Sequence, residues 1–283
     1  MESKEAAAIK LNFFTKLKLC MLPAAAGLLL FYFLPFLKVI YYSFLKGQYQ
    51  KEFVWLKNYK TVLGNQYFRL ACENTLKLIV ICVPLFLLIS ILISLLSLYG
   101  CRLGRLMRKL SILPLFLPSI SVVAAFFLIF EKVESPLPVY SIFLWKYIGM
   151  GVVILAAAFS SVEPEIYEAA RMDGAGPVAM HVGITLPICA KPIQFTVVLG
   201  VVYCFRTFRE SYLYYGANYP PDYSYTLQYY MNNQFLKLNY QSMAAASVMI
   251  TLFLAGFIAL CRKTKKEDGQ RSRGKKTQKG AKH

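Results

Sequence analysis

Arg206, Arg209 and Glu210 are the charges most out of place in this chain, because they lie 13 to 17 positions beyond Ile193 inside an apolar run. At about 1.5 Å per helical residue this is roughly 20 to 25 Å, past the middle of a bilayer. Charge at that depth is costly unless it faces a partner or a watery cavity. Arg206 and Glu210 are one helical turn apart and can pair, while the two arginines suit an anionic solute; snorkelling to the outer headgroups is the simpler alternative. Tyr212 opens a crowd of tyrosines reaching Tyr230. Their flat faces and hydroxyls can stack on a sugar ring or meet a docking protein, and an aromatic belt at the membrane interface explains them more cheaply.

Other chemistries are poorly provided for. His181 and His283 are the only histidines and no HExxH run exists, so a histidine-based metal site is not expected. Seven scattered cysteines without a CxxC pair read as small buried hydrophobes. The chain has no G-x-x-x-x-G-K-[ST] phosphate cradle, so no nucleotide or other cofactor is expected in it.

The elements that must position these residues are membrane spans. With 283 residues, 57% hydrophobic composition and a mean hydropathy of +0.48, the chain reads as an all-α, polytopic membrane protein. Six spans are expected, at about 19–44, 75–98, 111–130, 139–160, 193–213 and 243–260. The first is too long for a cleaved signal core and is taken as a retained helix. Three segments are basic: residues 1–18, the loop 99–109, and the tail 261–283, which carries about +8 of the net +18. They are expected to put both termini on the cytoplasmic side of the membrane. The basic first external loop runs against this bias. Anionic lipid headgroups suit the tail better than nucleic acid does. Residues 53–63 mix aromatic and basic side chains in the manner of an interfacial helix, and Pro114 and Pro118 predict a kink in the third span.

Between the fourth and fifth spans lies a polar insert, 163–192, on the inner side. Pro164 can open a short helix behind Glu163, with an apolar stripe at Ile166, Ala169 and Ala170, and with Glu168 and Arg171 spaced to pair. Asp173 and Gly174 end it, and Pro177 restarts a second helix through Val178, Met180, His181 and Ile184 that Pro187 discourages from continuing. An amphipathic loop packed on its own bundle is the physical alternative.

Glu168, Ala169, Ala170, Asp173 and Gly174, followed by Ile184, Leu186 and Pro187, resemble the EAA loop of membrane permeases from ATP-driven, binding-protein-dependent importers. Trp55 through Tyr59, Asn74-Thr75, Pro114 through Val123, Trp145, Lys146, Gly149 and Thr226-Leu227 resemble the sugar-importer branch, over about residues 16–260. The resemblance implies a coupling helix seated on a cytoplasmic ATPase, two copies of which would bind the ATP and magnesium. It further implies a second permease subunit, commonly different, and an external solute-binding lipoprotein that delivers a solute, most readily a carbohydrate. Where that branch commonly has Trp and Phe in the second short helix, this chain has Val178 and His181. Two alternatives are an ion-coupled transporter built on Glu210 and an importer permease for an anionic non-sugar solute. A membrane enzyme lacks a cluster of His, Asp or Ser at matched depth.

Overall fold

The computed structural model describes residues 21–47, 52–98, 102–131, 133–216 and 218–280, with 262–280 as backbone only. The amino-terminal segment and the side chains of the basic tail lie outside the described residues. The only β contact among the described residues is an isolated bridge between Leu45 and Phe53. Internal contacts divide the chain into two units, residues 1–64 with 234–254 and residues 65–233 with 255–283.

In the first unit, α1 (Met21–Ser43) is long and apolar enough to cross a membrane, and its large side chains are mostly exposed. Helix α2 (Lys57–Gly64) matches the short helix expected near residues 53–63. Asn58 fixes it, donating from Nδ2 to the carbonyls of Ser43 and Leu45 at 2.9 and 2.8 Å. Trp55, in the left-handed region at φ 51°, is held edge-on to Phe53.

The second unit is built on α3 (Gln66–Leu98) packed against α6 (Leu137–Ser160). Both are continuous and apolar, with Pro84 accommodated inside α3 and Gly149 and Gly151 inside α6. Small polar residues let the two backbones approach. Ser94 Oγ donates to the Val152 carbonyl at 3.2 Å, and a Cβ on Gly151 would overlap Ser90 Oγ. Close approach through small residues replaces the hydrophobic driving force that helices lack in lipid.

The third span is not the single kinked helix expected over 111–130. Helix α4 (Arg102–Ile112) and a 3-10 turn (Leu113–Phe116) meet α5 (Ser119–Ile129) at 109°. Pro118 causes the break: it forces Leu117 into an extended conformation, ψ 139°, which no helix can pass through. The expected basic loop 99–109 is accordingly helical from Arg102. Gly104 packs on the Leu96 carbonyl and Gly149 of α6 on the Ser111 carbonyl, so α4 lies in backbone contact with both long helices. Gly149→Ala is expected to cost about 1–3 kcal/mol, since its methyl would overlap a main-chain oxygen that cannot rotate away. Thermal unfolding of the full chain in detergent checks this; an unchanged midpoint would remove the tight contact from the account.

A second bent pair, α8 (Pro177–Ile188) and a helical run over Ala190–Tyr215, turns by 75° at Cys189. The run is interrupted at Thr207 into α9 (Ala190–Arg206) and α10 (Phe208–Tyr215). Helices α11 (Leu227–Leu236) and α12 (Tyr240–Gly280) complete the chain, and Tyr240–Cys261 of α12 can cross a membrane. Among the described residues, four helices are long and apolar enough to span, or up to six if each bent pair counts as one span.

Candidate functional site

The insert after α6 folds as two short helices around an elbow. Helix α7 (Pro164–Met172) starts on Pro164 and ends on Gly174, whose φ of 79° is open to glycine at little cost. The Gly174 N–H donates to the Arg171 carbonyl at 3.0 Å and the Ala175 N–H to the Ala170 carbonyl at 2.9 Å, which satisfies the helix end in a Schellman arrangement. Glu168 and Arg171 form no ion pair, although their spacing allows one.

Helix α8 starts at Pro177 and, through a wider π turn over His181–Thr185, carries past Pro187 to Ile188. The proline does not stop it because it stands near the start of a new turn, Leu186–Ile188, where its missing N–H costs little. The two helices are tied together from inside. Tyr167 of α7 and His181 of α8 both hydrogen-bond the hydroxyl of buried Thr185, at 2.7 and 3.0 Å. Partial burial holds the His181 imidazole below its usual pKa, so the ring is held toward its neutral form.

This division of labour separates two residues that the spacing puts on one face. His181 belongs to the lock, whereas Val178 is 76% exposed. The most exposed large apolar side chain of the loop is Met172, at 89%, and Val182 is exposed beside them. Sequence reasoning missed Met172 and Val182 because Met172 falls off the apolar stripe of α7 and beside the elbow. Ile184, Leu186 and Ala170 are partly covered, and Ala169, Asp173 and Pro187 are exposed. The loop therefore presents exposed apolar side chains on both sides of Gly174, with its helix end and the Tyr167–Thr185–His181 lock hydrogen-bonded within it.

The second cluster lies within the bundle. Glu210 of α10 is 1% exposed and accepts from Lys146 of α6 and, at 2.8 Å, from Ser119 of α5. Lys146 also donates to Ser119 Oγ at 2.8 Å. The expected pairing of Glu210 with Arg206 does not form; Lys146, a residue singled out only by resemblance, takes the position. No charge pattern within one helix reveals this, since the partners are 64 positions apart. Glu210 Oε2 is buried without a hydrogen-bond partner. Arg206 and Arg209 are exposed, and neither has a carboxylate partner among the described residues. Near them, Tyr147 and Tyr203 stack at 4.5 Å.

The tyrosine crowd divides differently from either expectation. Tyr225, Tyr229 and Tyr230 are buried, and Tyr229 packs against Phe208, Tyr212 and Tyr225. Tyr219 is exposed and Tyr212 partly so. These rings form a small core of their own, because an aromatic face is buried most economically on another ring. Asn74 anchors it, donating to the carbonyls of Asp222 and Tyr225 at 2.5 and 3.0 Å, and Thr75 Oγ1 accepts the Leu227 N–H at 3.0 Å. The dipeptides Asn74-Thr75 and Thr226-Leu227 thus meet in space.

Broken spans around two continuous helices, with an elbowed loop offering an apolar knob, are the architecture of a transport permease. The chain belongs to the family of binding-protein-dependent transport system inner membrane components, whose description matches residues 78–262. It is similar to the arabinooligosaccharides transport system permease protein AraP of Bacillus subtilis, 28% identical over 276 residues and 84% of each chain. It is also similar to the polygalacturonan/rhamnogalacturonan permease YteP of that organism, 29% identical over 71% of each chain. The sn-glycerol-3-phosphate permease UgpA of Pectobacterium atrosepticum is 26% identical over 74% of this chain and 79% of its own. In fold, the chain resembles a bacterial ABC transporter that imports the acidic polysaccharide alginate, with a TM-score of 0.74 at 18% identity over 91% and 97% of the two chains. A structure of a bacterial alginate ABC transporter with its pentasaccharide-bound periplasmic protein gives 0.70 at 19% identity, over 89% and 94%.

Proposed function

We propose that this chain is the permease subunit through which an ATP-driven importer moves a carbohydrate, and that its 163–187 loop is the handle gripped by the ATPase. The observation that carries this is the elbow at Gly174 with Met172 and Val178 exposed on either side. Apolar side chains that the chain's own core does not claim, on a loop whose two helices are locked together through Thr185, are suited to a groove on a soluble partner. Both termini and the loop face the cytoplasm, in accord with the basic segments 1–18, 99–109 and 261–283. A second, similar permease completes the pathway, two ATPase subunits supply the ATP and magnesium chemistry, and an external binding protein delivers the solute. The similarity to permeases named for oligosaccharides favours a carbohydrate. The ion-coupled alternative loses its main support, since Glu210 is already engaged by Lys146. Uptake into proteoliposomes holding the full assembly tests the proposal: it must require ATP and the binding protein.

The exposed arginines favour one refinement, that the solute is anionic. Arg206 and Arg209 are exposed without a carboxylate partner among the described residues, and two of the relatives are named for the anionic polygalacturonan and glycerol 3-phosphate. Arg206→Gln is expected to lower uptake of a uronate oligosaccharide by about tenfold, one charge-assisted contact of about 1.5 kcal/mol, while sparing a neutral one. Equal losses for both would remove the anion from the reading.

A further inference from the structure

The exposed face of α4 is divided lengthwise. Arg102, Arg105 and Lys109, at i, i+3 and i+7, form one exposed row, and Leu103, Leu106, Leu110 and Leu113, at i, i+3, i+7 and i+10, form an exposed row beside it. The opposite face is closed, since buried Gly104 lies on the Leu96 carbonyl and Ser111 lies on Gly149. No Asp or Glu occurs over residues 74–130, and no described carboxylate pairs with the three basic residues. The apolar row continues past the helix into exposed Phe116, while the basic row ends at Lys109. Charge is therefore gathered toward the helix start and the apolar surface runs on toward the bend at Pro118.

We propose that this divided face is a binding site for anionic phospholipid, with the headgroup phosphate held by Arg102, Arg105 and Lys109 and the acyl chain laid along the leucine row. Guanidinium groups match phosphate oxygens in geometry as well as charge, and a basic row flanking an apolar one suits the boundary between headgroups and hydrocarbon. A soluble acidic partner matches the charges but leaves the adjoining leucines and Phe116 in water. A zwitterionic lipid matches the leucines but leaves three cations without net neutralisation. The site rests on the reading of residues 99–109 as lying at the inner leaflet only for which leaflet supplies the lipid; the preference itself does not depend on sidedness.

Leu106→Trp places a reporter in the apolar row, and the parent chain, which has only Trp55 and Trp145, supplies the background. The full chain is placed in nanodiscs of phosphatidylcholine with a graded series of fractions of brominated lipid, whose bromines quench tryptophan on contact. Brominated phosphatidylglycerol is expected to quench the added tryptophan at a content lower than that of brominated phosphatidylcholine by at least about fivefold, the preference that a single engaged basic residue gives. The preference should shrink with added salt and vanish in Arg102→Gln/Arg105→Gln/Lys109→Gln. It should survive neutralisation of Lys275 and Lys276 in the tail. Equal quenching by the two lipids overturns the site. Protection from both also overturns it, because the face is then covered by protein. Because both leaflets of a nanodisc are exposed, sidedness is read separately in intact cells, where labelling of a cysteine introduced into the tail by a membrane-impermeant reagent would overturn the inside placement alone.

Discussion

Lys146→Met, with Glu210 left in place, is expected to destabilise the membrane bundle by about 3–5 kcal/mol, the cost of stranding a buried charge. Glu210 is 1% exposed and both of its donors, Lys146 and Ser119, converge on one oxygen, leaving the other unpartnered. Removing the lysine leaves a single serine hydroxyl against a carboxylate in a low-dielectric interior. Glu210→Met is expected to do similar harm from the other side, because the Lys146 side chain is only 14% exposed. The double variant Lys146→Met/Glu210→Met should recover most of the loss, since two well-packed apolar side chains avoid the desolvation of both charges. Thermal unfolding of all four chains in the same nanodiscs gives the coupling energy directly. Small, additive losses would mean that the pair contributes little and that its partners are solvated in the working protein.

The second large effect is expected at the elbow. Gly174→Val forces a β-branched residue to a φ of 79°, where L side chains are strained, yet nothing lies within 4 Å of the added Cβ. The bundle should therefore keep its unfolding midpoint while α7 and α8 lose their relative angle. Binding of the partner ATPase to the full chain should weaken by about 100-fold, about 3 kcal/mol. Gly174→Asn, which tolerates the left-handed region, should retain most of the affinity. Met172→Asp and Val178→Asp test the knob on each side of the elbow by placing a charge in an apolar seat; each should weaken binding at least tenfold. Retained affinity in both aspartate variants would move the docking surface elsewhere.

Both features show which parts of this fold a sequence can express. The elbow was legible because it is local: Pro164, Gly174 and Pro177 each act on their own backbone, and their order sets the two short helices. The six apolar segments were legible for the same reason, as lengths of chain that water rejects. The 109° break at Pro118 was only half legible, since a proline predicts a kink but its amplitude depends on whether the preceding residue goes extended, as Leu117 does. Lys146 with Glu210 was not legible, because a helix shows its own charge spacing and says nothing of a neighbour 64 positions away. Gly149 and Asn74 were visible only as resemblance until their contacts with Ser111 and with Asp222 and Tyr225 gave them physical work. His181 and Val178 look alike by position and part company in space, one inside a hydrogen-bonded lock and the other on the surface.

The central claim is that ATPase force enters through the loop and moves solute through this chain. Its most direct measurement is solute uptake by proteoliposomes containing the chain, its partner permease and ATPase, with the binding protein on the substrate side. The account predicts uptake that needs ATP hydrolysis and falls by at least tenfold in Gly174→Val while assembled bundles remain folded. Uptake that persists without ATP, follows an imposed ion gradient and ignores Gly174→Val would contradict it.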